Sequence, residues 1–144
     1  DAGYGFVGPL NDMVTKNRSG KGVLNVPKGG RALKPVVVAG NTHVAAVTSQ
    51  GRMLVFSLDQ VPELSRGKGN KLINVPKSVF ESGEELMLCI ALFSEKDRLI
   101  VRAGARYLRL KFKDLSNYIN DRAKRGRKLP RGFQRVDALE IEEA

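Results

Sequence analysis

The chain has 144 residues, of which 42% are hydrophobic and 28% are charged, so it can bury a core and is not a disordered sequence by composition. Its 25 lysines and arginines against 15 aspartates and glutamates give a formal net charge of +10, which favours a polyanionic partner. No apolar run approaches the roughly 20 residues of a membrane-spanning helix, and no signal peptide is recognisable. Because the first residue is not Met, we expect the chain to be part of a longer protein.

The sequence contains three related units. Each unit opens with a glycine followed by a strand-like segment: GYGFVGPL from Gly3, GRMLVFSL from Gly51 and GARYLRLKF from Gly104. Each opening is followed by a glycine-containing basic turn: RSGKG at 18–22 (the first basic turn), SRGKGNK at 65–71 (the second) and KRGRK at 124–128 (the third). The tetrapeptide Asn-Val-Pro-Lys follows the first two turns, at 25–28 and 74–77, and Leu-Pro-Arg follows the third. A repeat must be recognised before individual elements are assigned.

The elements predicted in chain order are mostly β-strands. KPVVVAG at 34–40 is β-branched and ends in glycine, which is typical of a strand. Two hairpins are predicted, with turns at Ser49–Gly51 and Ser94–Asp97. Over Tyr107–Lys113 apolar residues alternate with cations, which places them on opposite faces of a strand. Helix is indicated only weakly, as one or two turns within Lys113–Arg122.

These patterns predict an all-β fold. Units of about 50 residues with four short antiparallel strands are typical of propeller-like blades. One blade cannot bury both of its faces, so stacking against neighbours stabilises it. We predict one domain over 1–144 with about three blades, at approximately 3–50, 51–103 and 104–141.

Other candidate motifs do not fit a catalytic or nucleotide-binding site. GYGFVG has the spacing G-x-G-x-x-G, but Pro9 follows it where a dinucleotide site needs a helix. Neither Gly-Lys-Gly turn is a Walker A loop, because Thr15 and Pro62 occupy the place of that motif's first glycine. His43 is the only histidine and Cys89 the only cysteine, so we expect no metal site and a core position for the thiol.

The basic turns favour phosphate binding. Glycine allows a phosphate to approach the backbone N–H groups, and lysine and arginine add charge and hydrogen bonds. Stacked blades would align one such turn per blade along a rim, which suits a nucleic-acid backbone. Ordinary solvated loops are the alternative interpretation. The candidate DNA-binding residues are Lys16, Arg18, Lys21, Arg52, Arg66, Lys68, Lys71, Arg106, Arg109, Lys111, Arg122, Lys124, Arg125, Arg127, Lys128 and Arg131.

Several segments resemble the C-terminal domains of the A subunits of bacterial type IIA topoisomerases, and of topoisomerase IV in particular. The segments are GRMLVFSLDQVPELSRGKGNK, KNRSGKGVLNVP and RGRKLPRGFQRVDALEI. The resemblance implies a β-pinwheel whose blades exchange strands, and a non-catalytic domain that binds and bends duplex DNA. It also implies a cytoplasmic parent enzyme in an A2B2 assembly with an ATPase subunit. Mg²⁺, ATP and the catalytic tyrosine would belong to other parts of that enzyme, so we expect no cofactor here.

Three alternatives stay open. The DNA-wrapping domain of gyrase A subunits carries the box Gln-Arg-Arg-Gly-Gly-Lys-Gly, but the nearest stretch here, Leu64–Gly69, lacks the full box. This difference favours bending over full wrapping. A propeller that binds an acidic protein, with its charge serving solubility, is the alternative from another class. A nucleotide-binding enzyme is a third hypothesis, which dialysis against ATP and NAD would test.

Overall fold

The β-like segments of the sequence form nine strands in the part of the chain that the structure, a computed structural model, describes: residues 1–8 and 24–143. The strands are β1 (Tyr4–Gly5), β2 (His43–Thr48), β3 (Arg52–Ser57), β4 (Asn70–Lys71), β5 (Met87–Phe93), β6 (Arg98–Ala103), β7 (Arg106–Leu110), β8 (Arg127–Lys128) and β9 (Ala138–Glu142). Helix is limited in these residues to α1 (Lys77–Glu81) and two 3-10 turns, Leu58–Gln60 and Phe112–Leu115.

The strands form three antiparallel sheets. A two-stranded sheet pairs β1 with β4, a four-stranded sheet has the order β5-β2-β3-β8, and a three-stranded sheet has the order β7-β6-β9. The all-β prediction is therefore confirmed. The four-stranded sheet takes β2, β3 and β5 from the middle of the chain and β8 from near its end, so strands distant in sequence share one sheet.

The four-stranded sheet is buried on both faces because its strands are apolar at successive positions. Met53 and Val55 point into one core cluster, which the three-stranded sheet completes with Leu99 and Val101. The intervening Leu54 belongs, with Phe56, to a second cluster on the other face, completed by the segment after β4: Leu72, Ile73 and Val75. Each face is thus covered by a different part of the chain, as stacked blades require.

The three-stranded sheet is buried mainly on one face, although Ile100 on the other face is buried too. Leu108 and Leu110 of β7 pack on the first core cluster, whereas Tyr107 and Arg109, which alternate with them, are exposed. The predicted alternation over this strand is confirmed. The hairpin turning at Ser49–Gly51 is also confirmed, since β2 and β3 pair from His43–Ser57 to Val47–Met53.

The hairpin predicted at Ser94–Asp97 is wrong. A turn is present, with the Asp97 N–H donating to the Ser94 carbonyl at 3.0 Å. However, β5 pairs with β2, and β6 pairs with β7 and β9. The chain crosses here from one sheet to the next, so Phe93 and Leu99 meet in the core between the two sheets instead of lying side by side in one sheet.

Two further element predictions are wrong. Residues 34–40 form no strand, and Val37 is 76% exposed. Both edges of the nearest long strand, β2, are already occupied by β3 and β5, so β propensity alone does not supply a hydrogen-bonding partner. The helix expected within Lys113–Arg122 is reduced to the 3-10 turn that ends at Leu115, while α1 lies in a segment that was not predicted helical.

The proposed blade limits and the sheets follow different boundaries. The limits at 50/51 and 103/104 fall in the turns of the β2–β3 and β6–β7 hairpins. A sequence repeat therefore begins with the second strand of a hairpin and ends with the first strand of the next. The residue limits of the blades stay a prediction.

No helix in the described ranges is long and apolar enough to cross a lipid bilayer.

Candidate nucleic-acid interface

The second basic turn ends in β4, which pairs with the strand that opens the first unit. Asn70 lies opposite Gly5, and Lys71 lies opposite Tyr4. Gly69, immediately before β4, has a φ of 80°, and a Cβ at this position would clash with the Gly5 carbonyl group. Glycine is therefore required twice over, by the left-handed backbone and by the close approach of the neighbouring chain.

The third basic turn makes the same arrangement one unit later. It ends in β8, where Arg127 lies opposite Met53 of the strand that opens the second unit. Gly126, immediately before β8, has a φ of 78°, and a Cβ there would lie 2.8 Å from the Met53 carbonyl oxygen. Gly69 and Gly126 thus occupy equivalent positions.

The residues after the two turns are equivalent as well. The Leu72 N–H donates to the Gly3 carbonyl at 2.6 Å, and the Leu129 N–H donates to the Gly51 carbonyl at 2.8 Å. Both leucine side chains are buried. Each basic turn is therefore fixed between an edge strand of the preceding unit and a leucine in the core.

The Asn-Val-Pro-Lys tetrapeptide connects successive turns. The Asn25 N–H donates to the Gly67 carbonyl at 2.8 Å, and the Asn74 N–H donates to the Lys124 carbonyl at 2.8 Å. Gly67 and Lys124 each lie two residues before the equivalent glycines. The segment after one basic turn is thus hydrogen-bonded to the next turn, which explains why the tetrapeptide recurs at a set place relative to the turns.

Exposed cations project from both described turns. Arg66 and Lys68 are exposed on the second turn, and the Lys68 ammonium lies 4.4 Å from the ring centroid of Tyr4. On the third turn and the Leu-Pro-Arg tripeptide after it, the exposed cations are Lys124, Arg127, Lys128 and Arg131. The exposed Arg106 of β7 lies close to Gly132, since a Cβ on that glycine would be 2.5 Å from its guanidinium. Because the two turns have equivalent backbone positions, the second and third basic turns present their exposed cations at equivalent places in successive units.

Other predicted site residues are half-buried and bonded within the protein. Arg52 donates to the Gly126 carbonyl at 3.2 Å, and Arg122 donates to the Lys71 carbonyl at 2.7 Å. Lys71 itself donates to the Asn74 side chain at 3.1 Å and to the Val75 carbonyl at 3.4 Å. These groups join the second and third turns to each other.

Arg125 is also bonded within the protein, although its side chain is 32% exposed. Its guanidinium forms an ion pair with the buried Glu85 carboxylate and donates to the Asn74 carbonyl at 3.3 Å. Sequence reasoning missed Glu85 and Tyr4 as parts of this region, and it treated Asn25 and Asn74 only as markers of a repeat.

The cations of the three-stranded sheet have a different environment. Arg109 is paired with Glu142 at 2.9 Å, and Arg102 is paired with Glu140 at 2.6 Å. The hydrogen bond and charge of Glu140 raise the pKa of the Arg102 guanidinium above its usual value. Lys111 is exposed, beyond the end of β7. Lys16, Arg18 and Lys21 of the remaining predicted set lie outside the described residues.

The groups that would support other chemistry do not come together in the described ranges. No three His, Cys, Asp or Glu side chains there are arranged to hold a metal ion. His43 stacks on Phe93, with ring centroids 5.9 Å apart. Cys89 is partly buried, and that burial raises the pKa of its thiol. His43 thus begins β2, and Cys89 packs against the first core cluster without being fully buried.

Comparison with protein families identifies the class of fold. Residues 42–87, which run from the start of the first complete hairpin into β5, match the family described as DNA gyrase C-terminal domain, beta-propeller. The chain also superposes on the structure of the E. coli ParC C-terminal domain with a TM-score of 0.90 and 36% identity, over all of this chain and 58% of that one. A crystal structure of the C-terminal domain of DNA topoisomerase IV, 18% identical with a TM-score of 0.75, shows the same fold.

Sequence relatives agree with this class. The chain is 43% identical over 144 residues to the A subunit of DNA topoisomerase 4 from Pseudomonas aeruginosa and 38% identical over 143 residues to that from Escherichia coli K12. It covers 19% of the length of each of these relatives. The chain therefore belongs to the C-terminal domain family of the A subunits of DNA gyrase and topoisomerase IV.

Proposed function

We propose that the domain binds and bends duplex DNA, as part of the A subunit of a bacterial topoisomerase IV. The observation that carries the proposal is the equivalent placement of the second and third basic turns. Each turn is fixed by a glycine with positive φ against the edge of the preceding unit, and each presents exposed cations. Cationic turns that recur at equivalent positions of successive units suit a polyanion whose charge also repeats.

Binding at these turns depends on phosphates and not on base sequence. The exposed groups are lysine and arginine on turns, with no recognition helix among the described residues to enter a groove. Contacts of this kind position a duplex without reading it. A duplex would bend if it contacted the basic turns of several repeat units, since successive units of a repeat protein are rotated relative to one another.

The wider role rests on the similarity to the A subunits of topoisomerase 4. The domain would present the transported DNA segment during ATP-dependent decatenation and relaxation by an A2B2 enzyme in the bacterial cytoplasm. Mg²⁺ and ATP would act in other parts of that enzyme. The identity of 43% to a topoisomerase 4 chain supports this choice over a gyrase wrapping domain.

Fluorescence transfer between dyes on the two ends of a short duplex tests the proposal. We expect transfer to rise as protein is added at low salt and to fall as salt is raised. The slope of log affinity against log salt should be about −0.9 for each phosphate contacted. Binding with no rise in transfer would reject bending, and no binding at low salt would reject the function.

A further inference from the structure

The buried carboxylate of Glu85 lies where four distant parts of the chain meet. The Glu85 side chain is fully buried, with 0% exposure. The Thr48 hydroxyl, at the end of β2, donates to its Oε2 at 2.6 Å. The Arg125 guanidinium of the third basic turn pairs with its Oε1. A charge without water around it needs partners of this kind to remain ionised.

Arg125 extends this network to the segment after the second basic turn. It donates to the Asn74 carbonyl at 3.3 Å, while the Asn74 N–H donates to the neighbouring Lys124 carbonyl at 2.8 Å. Thr48 in turn accepts from the Arg52 N–H at 3.3 Å, and the Arg52 side chain donates to the Gly126 carbonyl. The buried carboxylate therefore fixes Arg125 of the third basic turn to the end of β2, while Arg125 also bonds to the segment after the second turn.

Within residues 1–8 and 24–143, the second basic turn has no such clamp, that is, no buried carboxylate paired with the cation before its glycine. Lys68 precedes Gly69 as Arg125 precedes Gly126, but Lys68 is exposed and lies over the Tyr4 ring. The two equivalent residues, Lys68 and Arg125, therefore have different environments. One cation faces solvent, whereas the other is used to hold its turn.

We propose that Glu85 is a positioning residue for DNA binding, which acts through Arg125, and that Arg125 itself does not contact DNA. This inference rests on the proposed function. Through Arg125, Glu85 sets where Lys124, Arg127 and Lys128 stand relative to the second turn. Without the clamp these cations would stay exposed but out of register, so one duplex would reach fewer of them at once.

The sign of the effect distinguishes positioning from charge. Glu85→Gln keeps the hydrogen bond to Thr48 but raises the net charge by one, from +10 to +11. A role for charge alone predicts that this variant binds DNA as tightly as the parent or more tightly. Positioning predicts a shallower salt dependence, with a slope smaller by about 0.9 for each phosphate that the protein no longer reaches, and less fluorescence transfer between duplex ends.

A double variant removes the problem of an unpaired buried charge. Glu85→Gln with Arg125→Met leaves the net charge at +10 and no isolated ion in the core. The matched control is Lys77→Met with Glu81→Gln, which neutralises the exposed pair on α1. Circular dichroism first establishes that each variant is folded. We expect the Glu85/Arg125 variant to show less transfer and a shallower slope while the Lys77/Glu81 variant keeps both.

Arginine labelling tests the inference in the unmodified chain. Phenylglyoxal followed by mass spectrometry should modify Arg127 readily and Arg125 slowly, and DNA should protect Arg127 but not change the labelling of Arg125. If the parent chain binds DNA but the folded double variant bends it equally well, Glu85 has no positioning role. If Arg125 reacts readily and DNA protects it, the inference is overturned. If the parent chain does not bind DNA, the proposed function fails instead.

Discussion

The four-stranded and three-stranded sheets are built from similar strands but end in different surroundings. Strands β2 and β3 of the first sheet are buried at nearly every position, because other parts of the chain cover both faces. In the second sheet β7 alternates, and the outer face carries Arg98, Arg102 and Arg109 beside Glu140 and Glu142, with Ile100 of β6 buried among them. A sheet that is covered on both faces has apolar strands. A sheet that is covered on one face carries paired arginines and glutamates on its exposed face.

The same contrast separates two kinds of cationic surface. On the outer face of the three-stranded sheet, each of the three arginines has a glutamate partner within 4 Å. On the second and third basic turns, the exposed cations project without a carboxylate within ion-pair distance in the described ranges. Arginine content alone therefore does not define the DNA-binding surface. The distribution of acids decides which cations are left for phosphate.

The largest expected effect is on stability, and it tests the difference between the sheets. Phe56→Ala removes a side chain with 0% exposure from the four-stranded sheet and should lower the free energy of unfolding by about 3–5 kcal/mol. Tyr107→Ala, on the exposed face of β7, should change it by no more than about 0.5 kcal/mol. Urea denaturation followed by circular dichroism measures both. Similar losses for the two variants would mean that the faces are not buried as described.

The next effect concerns the glycine of the third basic turn. Gly126→Ala forces a left-handed alanine and places a Cβ 2.8 Å from the Met53 carbonyl oxygen. Gly83→Ala is the matched control, because its φ is 80° but nothing lies within 4 Å of the added atom. The control should lose about 1–2 kcal/mol from the backbone alone. Gly126→Ala should lose more and should also weaken DNA binding, and equal losses would show that β8 does not approach β3 closely.

The ion pairs of the outer face should contribute little. Glu142→Gln removes the partner of Arg98 and Arg109, and the exposed position limits the cost to less than about 1 kcal/mol. Since the Debye length is about 3 Å at 1 M ionic strength, the loss should disappear in high salt. Glu143→Gln changes the charge equally and serves as the control. A loss that persists at 1 M salt would contradict an electrostatic origin.

The smallest effect is a rate of chemical modification, without a change in fold. Burial raises the pKa of the Cys89 thiol, so the thiolate fraction at pH 8 is below that of a free cysteine. Iodoacetamide should therefore label Cys89 slowly in the folded chain and quickly in urea. Equal rates in the two states would show that β5 leaves the thiol open to solvent.

The sequence predicts the elements whose patterns are local. The alternation in β7 and the hairpin at Ser49–Gly51 depend on residues close together in the chain, and both are present. The hairpin at Ser94–Asp97 fails because the turn is local but the choice of partner strand is not. Val36 to Val38 have β propensity but form no strand, because no local pattern records whether a segment finds a pairing partner.

The candidate site likewise has features that local patterns predict and features that depend on long-range contacts. Repeated motifs reveal the basic turns, because the glycines and the Asn-Val-Pro-Lys segments recur at related spacings. Glu85 could not be recognised from the sequence, since it lies 40 residues from Arg125 and shares no motif with it. The internal bonds of Arg52 and Arg122 were hidden for the same reason. A lysine or arginine in a turn does not show in advance whether it faces solvent or a carbonyl group.

The central claim is that the two described basic turns contact one duplex together, and paired substitutions test it most directly. Three variants each remove two cations: Arg66→Ala with Lys68→Ala, Lys124→Ala with Arg127→Ala, and Arg98→Ala with Arg102→Ala. Affinity for a short duplex is measured against salt for each. We predict that either turn variant makes the slope shallower by up to about 1.8, whereas the outer-face variant leaves it nearly unchanged. An equal change in all three slopes would contradict the claim, because any two charges would then serve as well as those on the turns.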